Sequence, residues 1–204
     1  MDPMADRRAE LERLAREAGG DWLAVAQLAR ALVLAARADL VLDVGVGPGI
    51  VTLWLADAVD ETGGHLVVLE RDPAAIERLA AHVDSLGLAE RVQVLHGDAH
   101  RTIRTIAGTI AFVRLAADRA GYADYLRQLL DRLRPGAVIM AEGGRVPGAE
   151  SFRAALAADE RFTMVELPFR GGSLLAVWWP ERHAVGRDER RDEDADLRDA
   201  QFAD

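Results

Sequence analysis

The chain has 204 residues, half of them hydrophobic, which suits one domain with a full core. Its net charge of -9 argues against a nucleic-acid partner, which needs a basic face, and the absence of cysteine excludes disulfides and thiolate metal sites. No apolar run reaches the ~18 residues of a membrane span, and the charged start MDPMADRRAE has no apolar signal core, so a cytoplasmic protein is expected.

The first forty residues read as two helices. DRRAELERLAREA carries Leu11, Leu14 and Ala18 on one stripe and ends at Gly19-Gly20; DWLAVAQLARALVLAAR follows, with Asp21 as its N-cap. DLVLDVG is a short apolar run, as a parallel strand covered on both faces requires. IVTLWLADAV reads as helix and HLVVLE as a second buried strand. In DPAAIERLAAHVDSLG, Asp72 caps a helix, Pro73 opens its first turn, Ile76, Leu79, Val83 and Leu86 share a face, and Gly87 ends it.

RVQVLHGDA, TIAFVRL and GAVIMAE supply three more strands. A helix YADYLRQLLDRL precedes the last of them and stops at Pro135-Gly136. The strand starts fall near 39, 65, 91, 110 and 136, the rhythm of βα units. Right-handed crossovers then give an α/β, Rossmann-like, doubly wound and mostly parallel sheet. RFTMVELPF and SLLAVWW have no helix between them and close a seven-stranded sheet as an antiparallel hairpin. The expected organisation is N-terminal helices over 1–38, serving as a substrate cap or a homodimer face, a core over 39–180, and a charged, disordered tail over 181–204.

VLDVGVGPGI places Gly45, Gly47 and Gly49 directly after the first strand. In an open α/β sheet the ligand lies there, beyond the carboxyl ends of the strands. Bare glycines let it rest on the backbone and make positive φ cheap. Glu70 ends the second strand, where an acid holds ribose hydroxyls. Ile50 breaks the dinucleotide spacing G-x-G-x-x-G/A and disfavours a nucleotide-dependent oxidoreductase; without lysine there is no P-loop. Asp43 would repel a pyrophosphate and suits a cation such as an ammonium group.

VLDVGVGPGIVTLWLA and HLVVLERDPAAIERLAAHVDSLGLAERVQVLHGDA resemble the motifs of class I S-adenosylmethionine-dependent methyltransferases. DRAGYADYLRQLLDRLRPGAVIMAEGGRVPG and LPFRGGSLLAVWW are similar to later segments of the catechol and caffeoyl-CoA O-methyltransferases within that superfamily. The resemblance covers about residues 21–179. It implies S-adenosylmethionine held by Asp43, Gly45, Val46, Gly47 and Gly49, by Glu70 and Arg71, and by Gly97, Asp98 and Ala99, with Asp98 on the adenine amino group. Helix capping is the competing role for Asp98.

The same resemblance marks a departure. The family's divalent-cation ligands, two aspartates and an asparagine, fall on Ala116, Glu142 and Gly143, so no metal site is expected. Candidate catalytic residues are Glu142, Asp118, Arg119 and His100. Arg119 aligns with the family's lysine and stabilises an oxyanion but is a poor base. His96 and His100 straddle a strand end and are not expected to share a metal. The expected function is metal-independent methylation of a small molecule, at oxygen; the alternative is a protein that binds the cofactor or its demethylated product without ordinary methyl transfer.

Overall fold

The computed structural model describes residues 3–180; the expected tail, 181–204, lies outside them. The elements are α1 (Pro3–Ala18), α2 (Trp22–Ala35), β1 (Leu40–Val44), α3 (Ile50–Thr62), β2 (His65–Glu70), α4 (Pro73–Ser85), β3 (Val92–His96), α5 (Ala99–Thr102), β4 (Ile110–Leu115), α6 (Tyr122–Leu129), β5 (Leu133–Ala141), α7 (Glu150–Ala158), β6 (Phe162–Leu167) and β7 (Ser173–Trp178). The sheet runs β3-β2-β1-β4-β5-β7-β6. Its first five strands are parallel, and β7 lies antiparallel between β5 and β6. This is the seven-stranded, doubly wound sheet with a closing hairpin that the sequence predicts.

Strand side chains alternate between two cores. Val41, Leu66 and Val68 face α2, α3 and α4, whereas Leu42, Val44, Leu69 and Val113 face α6 and α7. Helix α3 is buried from Ile50 to Val59, including Thr52 and Asp57, because α1 and α2 cover its outer side. Asp57 is satisfied there by Arg8 and Arg30 at 3.1 and 2.8 Å. Strand order reverses between β1 and β4, so the loops after them diverge and open a crevice.

Several local expectations change. On α1 the buried residues are Leu11 and Ala15, and Ala18 is exposed. Asp21 stands at the start of α2 without a side-chain capping bond; its carboxylate instead accepts the Arg170 N–H at 2.7 Å. Helix α6 ends at Leu129, and β5 begins at Leu133 and runs through Pro135 and Gly136. A bulge against β4 between Ile110 and Phe112 accommodates that extra length. The segment after Gly148 forms α7, docked by Phe152 and Leu156. Asp72 caps α4 as expected, accepting the Ala74 N–H at 3.0 Å.

Candidate active site

A cavity of about 440 Å³ opens at the carboxyl ends of β1, β2, β3 and β4. Its wall includes Gly45, Gly47, Glu70, Arg71, Gly97, Asp98 and Ala99, all expected from the sequence, and Asp118. Ala116, which the resemblance sets at a cation-ligand position, is also on the wall, and Ala117, Leu69 and Tyr125, which carry no site signal in the sequence, complete it. Tyr125 sits one turn after Tyr122 on the buried face of α6, a periodicity that marks both as core rather than as wall.

The three glycines of the β1 loop do different work. Gly45 has φ +91, and a Cβ there would stand 2.9 Å from the Ala116 and Ala117 backbone. Its bareness lets the ends of β1 and β4 pack together, not a ligand approach. Gly47 has φ +57, and a Cβ added to it would meet nothing within 4 Å, so it is the bare surface that faces the cavity. Gly49, φ +84, stands at the α3 N-cap.

Glu70 ties this loop to β2. Its Oε2 accepts the Val46 N–H at 2.8 Å, and its Oε1 accepts the Arg71 and Asp72 N–H groups at 2.7 and 2.9 Å. The carboxylate is thereby fixed at the cavity wall with lone pairs to spare. Val46 itself is buried and enters the site through that N–H. Asp98 lines the cavity and caps α5 through the His100 N–H at 3.0 Å.

Beneath the loop lies a buried charge cluster that sequence reasoning misses. Parallel register sets Arg114 of β4 beside Asp43 of β1. Arg114 donates to Asp43 Oδ1 at 2.8 Å, to Glu142 Oε1 at 2.8 Å and to the Gly45 carbonyl at 3.1 Å. Thr52 donates to the other Asp43 oxygen at 2.6 Å. Burial pushes the Asp43 carboxyl up from its ordinary value, against the pull of Arg114 and Thr52. Burial also opposes the charge on Arg114, but the two carboxylates outweigh it and hold the guanidinium protonated. The arginine inside the apolar run TIAFVRL is the available signal, because a charge in a covered strand requires a partner.

Two expectations are corrected by this cluster. Asp43 does meet a cation, but that cation is Arg114; Asp43 is fully buried and off the cavity wall. Glu142 is not free to act as a base: Arg114 takes one oxygen and Arg170 approaches the other at 3.4 Å. His100 is also turned away, its Nδ1 paired with Asp124 at 2.7 Å and its ring 4.6 Å from that of Tyr125. Asp118 remains on the wall, capping a turn through the Ala120 N–H at 3.3 Å. Arg119 packs on Gly143.

The chain is similar to known proteins. Residues 42–142 match the family described as "Methyltransferase domain". A catechol O-methyltransferase of Mycobacterium tuberculosis is 31% identical over 79% of this chain and 73% of its own length. The chain belongs to the class I S-adenosylmethionine-dependent O-methyltransferases. A catechol O-methyltransferase of Niastella koreensis is 29% identical over 62% of this chain and 60% of its own length, so the match spans less than two thirds of that relative. The O-methyltransferase from Bacillus cereus, solved in complex with SAH, shares the fold with TM-score 0.70 and 24% identity, covering 76% of this chain and 80% of that one.

Against that family the metal positions do not fit. Ala116 and Gly143 offer no ligand atom, and both Glu142 oxygens face arginines. Among the described residues no group of three or more His, Cys, Asp or Glu is placed to hold a metal ion. The His96 Nε2 lies 3.3 Å from the Arg71 carbonyl, and the His100 Nδ1 is paired with Asp124.

Proposed function

We propose that this O-methyltransferase-family chain methylates a small molecule at oxygen, using S-adenosylmethionine and no divalent metal. The observation that carries the reading is the cavity's polarity. Glu70, Asp98 and Asp118 line it against one cation, Arg71, around the bare Gly47. Such a wall favours a sulfonium nucleoside with an ammonium group and repels a pyrophosphate.

In this reading Gly47 would carry the cofactor's methionine side, Glu70 would accept from the ribose hydroxyls and Asp98 would accept from the adenine amino group. The bound cofactor supplies an activated methyl group. The chain would supply alignment: Arg114 ties the carboxyl ends of β1, β4 and β5 together beneath the Gly45 loop. Family membership favours transfer over binding alone. Helices α1 and α2 are assigned to the acceptor side or a homodimer contact. The acidic chain is assigned no nucleic-acid partner, and among the described residues no helix is long and apolar enough to cross a membrane. A cytoplasmic location accords with both.

The test is transfer of labelled methyl from S-adenosylmethionine to a mixture of small phenols and carboxylic acids, with and without EDTA. Transfer that EDTA leaves unchanged and magnesium does not raise supports the proposal. Transfer that EDTA abolishes contradicts the metal-independent part.

A further inference from the structure

The cavity wall takes residues from the carboxyl ends of β1 to β4 but none from β5, from the β6–β7 turn or from α1 and α2. On the β5 side the neighbouring space is filled by two turns, residues 143–148 after β5 and residues 168–172 between β6 and β7. They adjoin the wall, because Arg119 comes directly after the wall residue Asp118 and packs on Gly143. The turns also mesh with each other. The Arg145 N–H donates to the Gly171 carbonyl at 3.3 Å. A Cβ on Gly171 would stand 2.8 Å from the Val146 side chain, and one on Gly172 would collide with that of Arg145. Surfaces packed this closely shift together.

Arg170 fastens the pair. Its backbone N–H donates to one Asp21 oxygen at 2.7 Å, and its Nη1 stands 3.6 Å from the other. Its guanidinium carbon lies 3.6 Å from the centre of the Trp22 ring, and its Nε 3.4 Å from Glu142 Oε2. One side chain thus joins the start of α2, the end of β5 and the β6–β7 turn. Its backbone is left-handed, at φ +48, ahead of Gly171 and Gly172 at +76 and +82. A third glycine would sit there without strain, whereas an arginine keeps that conformation only while its contacts hold it. Those contacts are reversible: the side-chain ion pairs are long and the side chain is one-third exposed. Glu142 stays anchored without them, since Arg114 holds its Oε1 at 2.8 Å and its N–H donates to Leu115 at 2.9 Å. The part free to move therefore begins at Gly143.

We propose that Arg170 is the latch of a two-turn lid. Stacked on Trp22, it holds residues 143–148 and 168–172 closed beside the cavity; released, it lets both turns swing away from β5 so that the methyl acceptor enters. Closing restores the stack and shuts water out before transfer. Arg170 is a positioning residue in this scheme and touches neither cofactor nor acceptor. What the lid admits rests on the transferase reading above; that the turns open together rests on the contacts just described.

Hydrogen exchange of the full chain loaded with S-adenosylhomocysteine tests the latch. The Arg145 and Val146 amides report one turn, and the amides of residues 170 and 172 the other. In wild type all four are expected to exchange about 10-fold or more faster than those of Leu175 and Ala176, which β5 and β6 hold on both sides. Arg170→Ala is expected to speed both turns about 10-fold further while S-adenosylhomocysteine affinity stays unchanged, and Arg170→Lys to restore part of the protection. Trp22→Leu, which removes the other half of the stack, is expected to give the same pattern and replaces Arg170→Ala if that variant does not fold. Labelled methyl transfer to small phenols is expected to slow in the latch variants. Turn amides as protected as those of β7 in wild type, faster exchange in one turn alone, exchange unmoved by loss of the latch, or transfer as fast as wild type overturns the proposal. Absence of both transfer and S-adenosylhomocysteine binding in wild type overturns instead the transferase reading, and exchange of the unloaded chain then decides the latch.

Discussion

Replacing Arg114 with Met tests the buried cluster most sharply, because the unbranched apolar stem is kept while the guanidinium and its hydrogen bonds to Asp43, Glu142 and the Gly45 carbonyl are lost. The Arg114 side chain is 1% exposed and that of Asp43 fully buried, so neither carboxylate regains water when the cation goes. Breaking a buried pair by removing one partner costs about 3–5 kcal/mol. Glu142 keeps Arg170 at 3.4 Å, but Asp43 keeps only the Thr52 hydroxyl. The expected loss is therefore about 4 kcal/mol, a large share of the ~5–15 kcal/mol that holds a domain folded. Urea denaturation followed by tryptophan fluorescence and circular dichroism measures it. Adding Asp43→Asn and Glu142→Gln removes the stranded charges and should recover about half of the loss. A single variant within about 1 kcal/mol of wild type, or a triple variant no more stable than the single, refutes the role given to this cluster.

The glycines should separate by role: Gly45→Ala meets backbone at 2.9 Å and should not fold. Gly47→Ala should fold at a left-handed cost of about 1–2 kcal/mol while binding S-adenosylhomocysteine more weakly, as thermal melts with and without ligand will show. Tyr122 donates to the Leu115 and Glu142 carbonyls at 3.0 and 3.1 Å, so Tyr122→Phe should cost about 1 kcal/mol in denaturant without altering the far-ultraviolet spectrum. The His100 hydrogen bond, with help from Gln128 and Arg127, holds the Asp124 carboxyl below its usual value. A depressed folded value means this stabilisation is present above the unfolded carboxylate range near ~4 and fades as pH falls through the lower, folded value. Asp124→Asn should flatten that part of the acid-denaturation curve, and an unchanged curve contradicts the assignment.

The fold is legible because five strands are short apolar runs at regular intervals, and covered parallel strands leave that trace. The start of β5 is not, because Pro135-Gly136 reads as punctuation, whereas here it lies inside an extended strand opposite a bulge. Helix α7 escapes notice because its apolar face is only Phe152 and Leu156 between polar loops. The glycine and acid wall of the cavity is legible because those positions follow strand ends. The charge cluster beneath it is not, because its meaning lies in pairings across the sheet. Arg114 reads as one odd residue in a strand until register brings Asp43 beside it, and only then does Glu142 cease to be a candidate base. Gly45 shows the same limit: sequence reveals that a side chain is excluded, and packing alone reveals that Ala116 and Ala117 exclude it.

The central claim is that the acid-lined cavity over Gly47 holds a sulfur nucleoside, with Glu70 as its ribose anchor. Calorimetric titration of wild type and Glu70→Ala with S-adenosylhomocysteine, with NAD as control, tests it most directly. Wild type should bind saturably, Glu70→Ala at least ~100-fold more weakly from the loss of two charge-assisted hydrogen bonds, and neither should bind NAD. Equal affinity in the two proteins, or NAD bound as tightly as the nucleoside, would contradict it.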